Sequence, residues 1–167
     1  RKWQQGGQAA QSDMTELNKE VAEAVDKYDF GGVILFAENV KGTAQTLALT
    51  QALQQAAISN QANNGKLPLL LAIDQEGGIV YRLGSGTALP GNMAVGATRD
   101  PELANQAGQI IGRELSALGL NVNFAPVFDT NNNPQNPVIG LRSFSSDPKV
   151  VARLGTAMME GMQKYNV

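Results

Sequence analysis

Two stretches of the chain concentrate the side chains that could do chemistry. Asp74, Gln75 and Glu76 stand together ahead of Gly77-Gly78, with Arg82 eight residues after Asp74; further on come Asp129, Asn131, Asn132, Asn133 and Arg142. Carboxylates, amides and guanidinium groups gathered at one place suit a neutral, polyhydroxylated ligand. Each sugar hydroxyl both donates and accepts, and Asp and Arg can each engage two neighbours at once. The same residues have structural readings. Asp74 and Asp129 could cap the turns that follow them or pair with Arg82 or Arg142, Glu76 could hold loop amides, and Arg142 could pair with Asp147. Glu38 and Asn39 read as residues that open a helix, and Met158, Met159 and Met162 as core. Residue types alone reach no further than an α/β ligand binder that could be an enzyme.

Composition removes several alternatives. The 167 residues include no cysteine and no histidine. Within this chain that excludes disulfides, Cys or His zinc sites, a catalytic thiol and a Ser-His-Asp triad. Any metal would rest on carboxylates and carbonyls, such as magnesium on Asp74, Glu76 and Asp129. A net charge of -2 with no run of either sign leaves nothing to follow a phosphate backbone, so nucleic acid is not an expected partner. The longest apolar runs, 32–37 and 67–73, fall far short of the roughly 20 residues that cross a bilayer. Residues 1–5 carry two positive charges with no apolar signal core behind them, and a chain without Cys suits either side of a membrane.

The elements that must position these side chains follow from periodicity. A first helix is expected over 14–28, with Leu17, Val21, Ala24, Val25 and Tyr28 at helical spacing, Asp13 and Glu16 as a capping box, and Gly31-Gly32 as its end. The apolar runs 33–36 and 69–73 read as parallel strands buried on both faces, and 121–127 as the third buried strand. A second helix is expected over 43–59, followed by a polar turn over 60–66. The glycine-rich stretch 74–99 shows no periodicity. Asp100-Pro101 and Asp147-Pro148 each pair an N-cap with proline at the first helical position, starting two further helices. The apolar stripes of these helices are Leu103, Ala107, Ile110, Ile111, Leu115 and Leu118 in one, and Val150, Val151, Leu154, Met158 and Met162 in the other.

Helices alternating with buried strands call for right-handed crossovers and a parallel sheet. An open doubly wound sheet and a (β/α)8 barrel share that order, and three strands favour the open sheet on pattern alone, since a barrel takes about 250 residues. In both, ligands bind at the carboxyl ends of the strands, where the polar residues above fall. No G-x-G-x-x-G or Walker sequence follows any of the strands.

The wording of four segments narrows this further. Gly31-Gly32-Val33-Ile34-Leu35-Phe36, then Ala72-Ile73-Asp74-Gln75-Glu76-Gly77-Gly78 followed by Arg82, then Asn123-Phe124-Ala125-Pro126-Val127-Phe128-Asp129, then Ile139-Gly140-Leu141-Arg142-Ser143-Phe144-Ser145-Ser146-Asp147-Pro148 resemble glycoside hydrolase family 3. The chain is similar to the N-terminal barrel domain of that family from Trp3 to the last helix, in the branch of bacterial β-N-acetylhexosaminidases. The resemblance implies a partial TIM (β/α)8 barrel, approximately strands 2 to 4 with flanking helices, with residues 1–167 part of one such domain. It implies a retaining hydrolase for terminal β-linked N-acetylglucosamine in peptidoglycan- or chitin-type oligosaccharides, with Asp74, Arg82 and Arg142 contacting the sugar and Glu76 and Asp129 supporting their loops. No metal or organic cofactor is implied. The family's K-H-F-P-G-H-G-type strand, with its acid/base His, and its Asp nucleophile have no counterpart in these residues, so the chain alone is expected to be inactive. An incomplete barrel would also leave strand edges open to self-association. The bacterial cytoplasm and the cell surface remain equally open as locations.

Overall fold

A computed structural model describes residues 13–58 and 67–167. The charged N-terminal segment, the start of the resemblance at Trp3, and the expected turn over 60–66 lie outside the described residues. The chain runs α1 (Lys19–Tyr28), β1 (Gly32–Leu35), α2 (Thr43–Ile58), β2 (Leu70–Ile73), α3 (Asn92–Thr98), α4 (Pro101–Ala117), β3 (Val122–Asn123) and α5 (Pro148–Gln163). Short 3-10 turns occupy Ala37–Asn39 and Gly140–Arg142. The three strands form a parallel sheet in the order β1-β2-β3. The expected α/β fold with a parallel sheet is therefore present.

One core cluster joins the elements: Leu35, Leu71 and Ile73 from the sheet meet Leu49 and Leu53 of α2, Leu115 of α4 and Leu154 of α5. The strands are not buried on both faces as the apolar runs suggest. Ile34 and Leu70, which alternation sends to the opposite face, stay exposed, Leu70 to 58%. β1 begins at a glycine because a Cβ on Gly32 would lie 2.5 Å from the Leu70 carbonyl oxygen.

Local signals set some helix ends and tertiary contacts set others. Asp100 caps α4 through the Glu102 N–H at 2.8 Å, and Asp147 caps α5 through the Lys149 N–H at 2.9 Å, each with proline next, as expected. α1 starts five residues later than its periodicity suggests, at Lys19. Asn18 is the cap that forms, and the expected box does not, because 13–17 is held elsewhere. Asp13 pairs with Lys41 at 3.2 Å, Asn39 donates to the Met14 carbonyl at 3.0 Å, and Gln45 donates to the Thr15 carbonyl at 2.6 Å. α1 ends at Asp29 in the left-handed conformation, ahead of the glycine pair, and Tyr28 faces solvent. In α4, Leu103 and Ile110 of the expected stripe are exposed, and Ala104, Gly108 and Gly112 are buried in their place. α3 occupies part of the stretch that shows no periodicity; its Gly96 backs onto the Phe144 backbone with no room for a side chain.

β3 is two residues long where seven were expected, and asparagine side chains extend the pairing. Asn121 accepts from the Leu71 N–H at 2.7 Å and donates to the Leu69 carbonyl at 3.2 Å. Asn123 accepts from the Gln75 N–H and donates to the Gln75 carbonyl, both at 2.9 Å. A side-chain amide thus stands in for the backbone amide of a neighbouring strand. Because Gln75 is buried, Asn123→Leu should strand both of its backbone groups and destabilise the chain by about 1–3 kcal/mol. Urea unfolding measures this, and a loss below about 0.5 kcal/mol, the scale of an ordinary surface substitution, would refute it.

Candidate functional site

The carboxyl end of β2 runs directly into Asp74, Gln75 and Glu76, and each side chain takes a different direction. Gln75 turns inward, 2% exposed, and its Oε1 accepts from the Arg82 and Leu83 N–H groups at 2.8 and 3.2 Å. That anchor folds the chain back and brings Arg82 beside Asp74. Arg82 Nη2 lies 3.7 Å from Asp74 Oδ2, with the side chains 28% and 26% exposed. The pair is long and reachable from solvent, so the Asp74 carboxylate retains acceptor capacity for a ligand hydroxyl.

Glu76 is 4% exposed and faces Arg142. Arg142 Nε donates to the two carboxylate oxygens at 3.2 and 3.0 Å, and Nη2 donates to Oε1 at 2.7 Å. Arg142 Nη1 reaches the Val138 carbonyl at 3.3 Å. A guanidinium has five N–H donors, so the contacts to Glu76 and Val138 leave one on Nη1 and one on Nη2. Those two can grip adjacent ligand oxygens. The hydrogen bonds to Glu76 raise the affinity of Arg142 for its proton above the usual arginine range, helped by the charges of Glu76, Asp129 and Asp74. Burial opposes this, but the hydrogen bonds to Glu76 outweigh it and the guanidinium stays a fixed cation.

The structural readings divide. Asp74 does pair with Arg82. Among the described residues the Glu76 side chain binds a guanidinium and no loop amide, and Arg142 pairs with Glu76 rather than with Asp147, which is committed to capping α5. Asp129 is exposed; its backbone carbonyl takes the Ser143 hydroxyl at 2.6 Å, tying the end of the β3 segment to the Arg142 loop. The asparagine run builds turns more than a rim: Asn133 Oδ1 accepts from the Gln135 N–H at 3.0 Å, and Asn131 hydrogen-bonds through its backbone to Ser145. Asn39 stabilises its 3-10 turn, consistent with a helix-opening role, and Met158 and Met162 are core. Among the described residues no group of three or more carboxylates stands close enough to hold a metal ion, and Glu76 already spends its oxygens on Arg142. That geometry disfavours a magnesium centre on Asp74, Glu76 and Asp129.

A cavity of about 200 Å³ opens beside the Glu76–Arg142 pair, lined also by Gly78, Gly91, Asn92 and Leu141. Asn92 went unremarked in the sequence. It is buried, and its Nδ2 donates to the Arg142 carbonyl at 2.8 Å. Nothing local marks it, because it sits in the stretch without periodicity. A larger cavity, about 550 Å³, lies against α2 and Gly119, where β3 is about to begin; its polar lining is Thr50 and glutamines, with no charged group. No helix among the described residues is long and apolar enough to cross a membrane.

A parallel α/β scaffold with carboxylates and guanidinium groups at the carboxyl end of its central strand is the arrangement of a polar-ligand site. Residues 4–167 match the model of the glycosyl hydrolase family 3 N terminal domain, and the chain belongs to that family. It is 49% identical over 159 residues to beta-hexosaminidase A of Pseudoalteromonas piscicida, covering 92% of this chain and 26% of that protein. Among solved structures it is similar to a glycoside hydrolase family 3 beta-N-acetylglucosaminidase from Paenibacillus sp. str. FPU-7, with a TM-score of 0.86, 47% identity, and coverage of 92% of this chain and 28% of that one. NagZ from Neisseria gonorrhoeae, solved with N-trifluoroacetyl-D-glucosamine, gives a TM-score of 0.80 at 31% identity, with coverage of 92% of this chain and 46% of that one. The chain thus spans less than half of each of these proteins.

Proposed function

We propose that this chain is the sugar-positioning part of a retaining glycoside hydrolase that removes terminal β-linked N-acetylglucosamine from peptidoglycan- or chitin-type oligosaccharides. The observation that carries this reading is the bidentate Glu76–Arg142 pair, which leaves two guanidinium donors unused beside a cavity and within the electrostatic reach of Asp74. It is supported by relatives whose names are beta-hexosaminidase and beta-N-acetylglucosaminidase. In this reading β1, β2 and β3 are strands 2 to 4 of a (β/α)8 barrel, and residues 1–167 are part of a single domain of that kind. Asp74 accepts from, and Arg82 and Arg142 donate to, hydroxyls of the terminal sugar, while Asp129 supports the loop of Arg142.

The bond-breaking groups lie outside these residues. In a retaining mechanism a carboxylate attacks the anomeric carbon as an acid group protonates the departing oxygen, and water then releases the sugar from the glycosyl-enzyme. Asp74, Arg82 and Arg142 contribute by holding the ring so that its anomeric carbon meets the nucleophile. The reading needs neither a metal nor an organic cofactor.

The 167-residue chain alone is expected to give no turnover of a chromogenic N-acetylglucosaminide. Turnover that Asp74→Asn abolishes would overturn that expectation. Exchanged into a full-length relative such as the Pseudoalteromonas enzyme, the chain should support hydrolysis, and Asp74→Asn or Arg142→Ala should lower kcat/KM by at least about 100-fold, or about 2.7 kcal/mol of transition-state stabilisation. Wild-type rates in both variants would remove these residues from the site. Calorimetry with N-acetylglucosamine and chitobiose separates the reading from a binding module: millimolar or tighter affinity of the isolated chain, lost in Arg142→Ala, would favour carbohydrate binding without hydrolysis.

A further inference from the structure

Arg142 sits on a 3-10 turn within the irregular connection between β3 and α5, a place where a long side chain would ordinarily sample many rotamers. Two residues from opposite ends of the β2–α3 connection restrain it. Glu76, at the start, takes the Nε and Nη2 side of the guanidinium. Asn92, at the end, takes the backbone carbonyl of the same residue. Both arrive because the connection doubles back on itself: Gly78 adopts φ 59, donates its N–H to the Leu89 carbonyl at 2.9 Å, and lies so close to Gly91 that a Cβ on it would stand 2.7 Å from the Gly91 Cα. Only a residue without a side chain fits at Gly78.

We infer that Glu76 and Asn92 are positioning residues that brace Arg142 at its side chain and its backbone, so that the two remaining guanidinium donors face the ligand already oriented. The inference rests on the sugar-site reading above for what Arg142 grips, and on geometry alone for the brace. Asn92 is 1% exposed and its Oδ1 has no partner among the described residues, where its one side-chain hydrogen bond is the one to Arg142. A buried amide whose carbonyl oxygen is left without a partner serves that one contact. Glu76 is 4% exposed and its carboxylate oxygens are taken up by Arg142, so it acts on the sugar through that guanidinium. Holding a donor pair in place before binding removes the ordering cost that a loose arginine would incur at that moment.

Two readouts test this. In the 167-residue chain, the Arg142 Nε–H should give a slowly exchanging nitrogen-15 resonance, assigned by its loss in Arg142→Lys, and Glu76→Gln should return it to rapid exchange with free guanidinium rotation. Rapid exchange in the wild type would overturn the brace. In the full-length exchange described above, Glu76→Gln and Asn92→Ala should each raise KM at least fivefold and change kcat less than twofold, and Glu76→Asp should recover part of the Glu76→Gln loss. KM unchanged in both Glu76→Gln and Asn92→Ala, with Arg142→Ala still impaired, would refute the positioning role while leaving the sugar site intact. Failure of Arg142→Ala to affect hydrolysis would sink the sugar-site reading, and the resonance would still decide the brace. Should Glu76→Gln not fold, Asn92→Ala, which removes no charge, carries the kinetic test.

Discussion

Gly108→Ala should destabilise the chain by about 2 kcal/mol or more, although the same exchange in an exposed helix gains about 1 kcal/mol. The reason is the α4–α5 contact. A Cβ on Gly108 would run into the Met158 backbone carbonyl, one on Gly112 would stand 2.8 Å from both Cα and O of Met162, and one on Gly161 would run into the Asn105 carbonyl. These obstacles are backbone atoms, which cannot swing aside as a side chain can, so the helices must separate and lose dispersion contact along their length. Gly84→Ala is the control: nothing lies within 4 Å of a Cβ there, and the change should stay within about 0.5 kcal/mol. Calorimetry should show a melting temperature lowered by about 4 °C or more for Gly108→Ala. A stabilised variant would mean that α4 and α5 do not pack as closely as described. Because α5 follows directly on the Arg142 loop and α4 leads into β3, looser packing should also weaken whatever Arg142 holds.

The second large effect concerns the sheet. Among the described residues β1 and β3 each pair with β2 and with no other strand, which leaves an open edge on each side. One face of the sheet carries Ile34 and the 58% exposed Leu70, and Phe124, 59% exposed, follows β3. Unpaired N–H and C=O groups beside apolar side chains form a template for another strand. We propose that a polypeptide of these 167 residues alone associates with further copies of itself through these edges. Light scattering should report dimers or larger species that grow with concentration, and Leu70→Lys should shift the distribution toward monomer. A monodisperse monomer with a cooperative melt at high concentration would refute the proposal. In the exchange with a full-length relative, the association should disappear, since the added segments would cover the edges.

The sequence was informative where the physics is local or where several short motifs act together. Asp100-Pro101 and Asp147-Pro148 start helices because a carboxylate, an N–H two residues on and a fixed proline φ all lie within one turn. The four motifs in order lead to the family without any knowledge of contacts. The misjudged helix faces have a physical explanation as well. In α4 the expected Ala107, Ile111 and Leu115 are buried, but Ala104, Gly108 and Gly112 complete the packed face, so ranking residues by apolar size selects Leu103 and Ile110, which face solvent, over these small residues. In α1 the pattern extends to Met14, yet Asn39 and Gln45 pull 14–15 into a different set of hydrogen bonds.

What the sequence by itself determined is the set of reactive groups and their order: Asp74, Glu76, Arg82, Asp129 and Arg142 at the carboxyl ends of buried runs in an α/β chain, with no histidine to act beside them. Only the tertiary structure decided how they pair. Glu76 and Arg142 are 66 positions apart, and each had a plausible partner close in sequence. The choice between partners depends on where Gly78 meets Gly91 and on Asn123 extending β2 by side chain instead of backbone. Contacts across such separations require the whole chain between them to be folded, and no periodicity or cap within one turn can encode that.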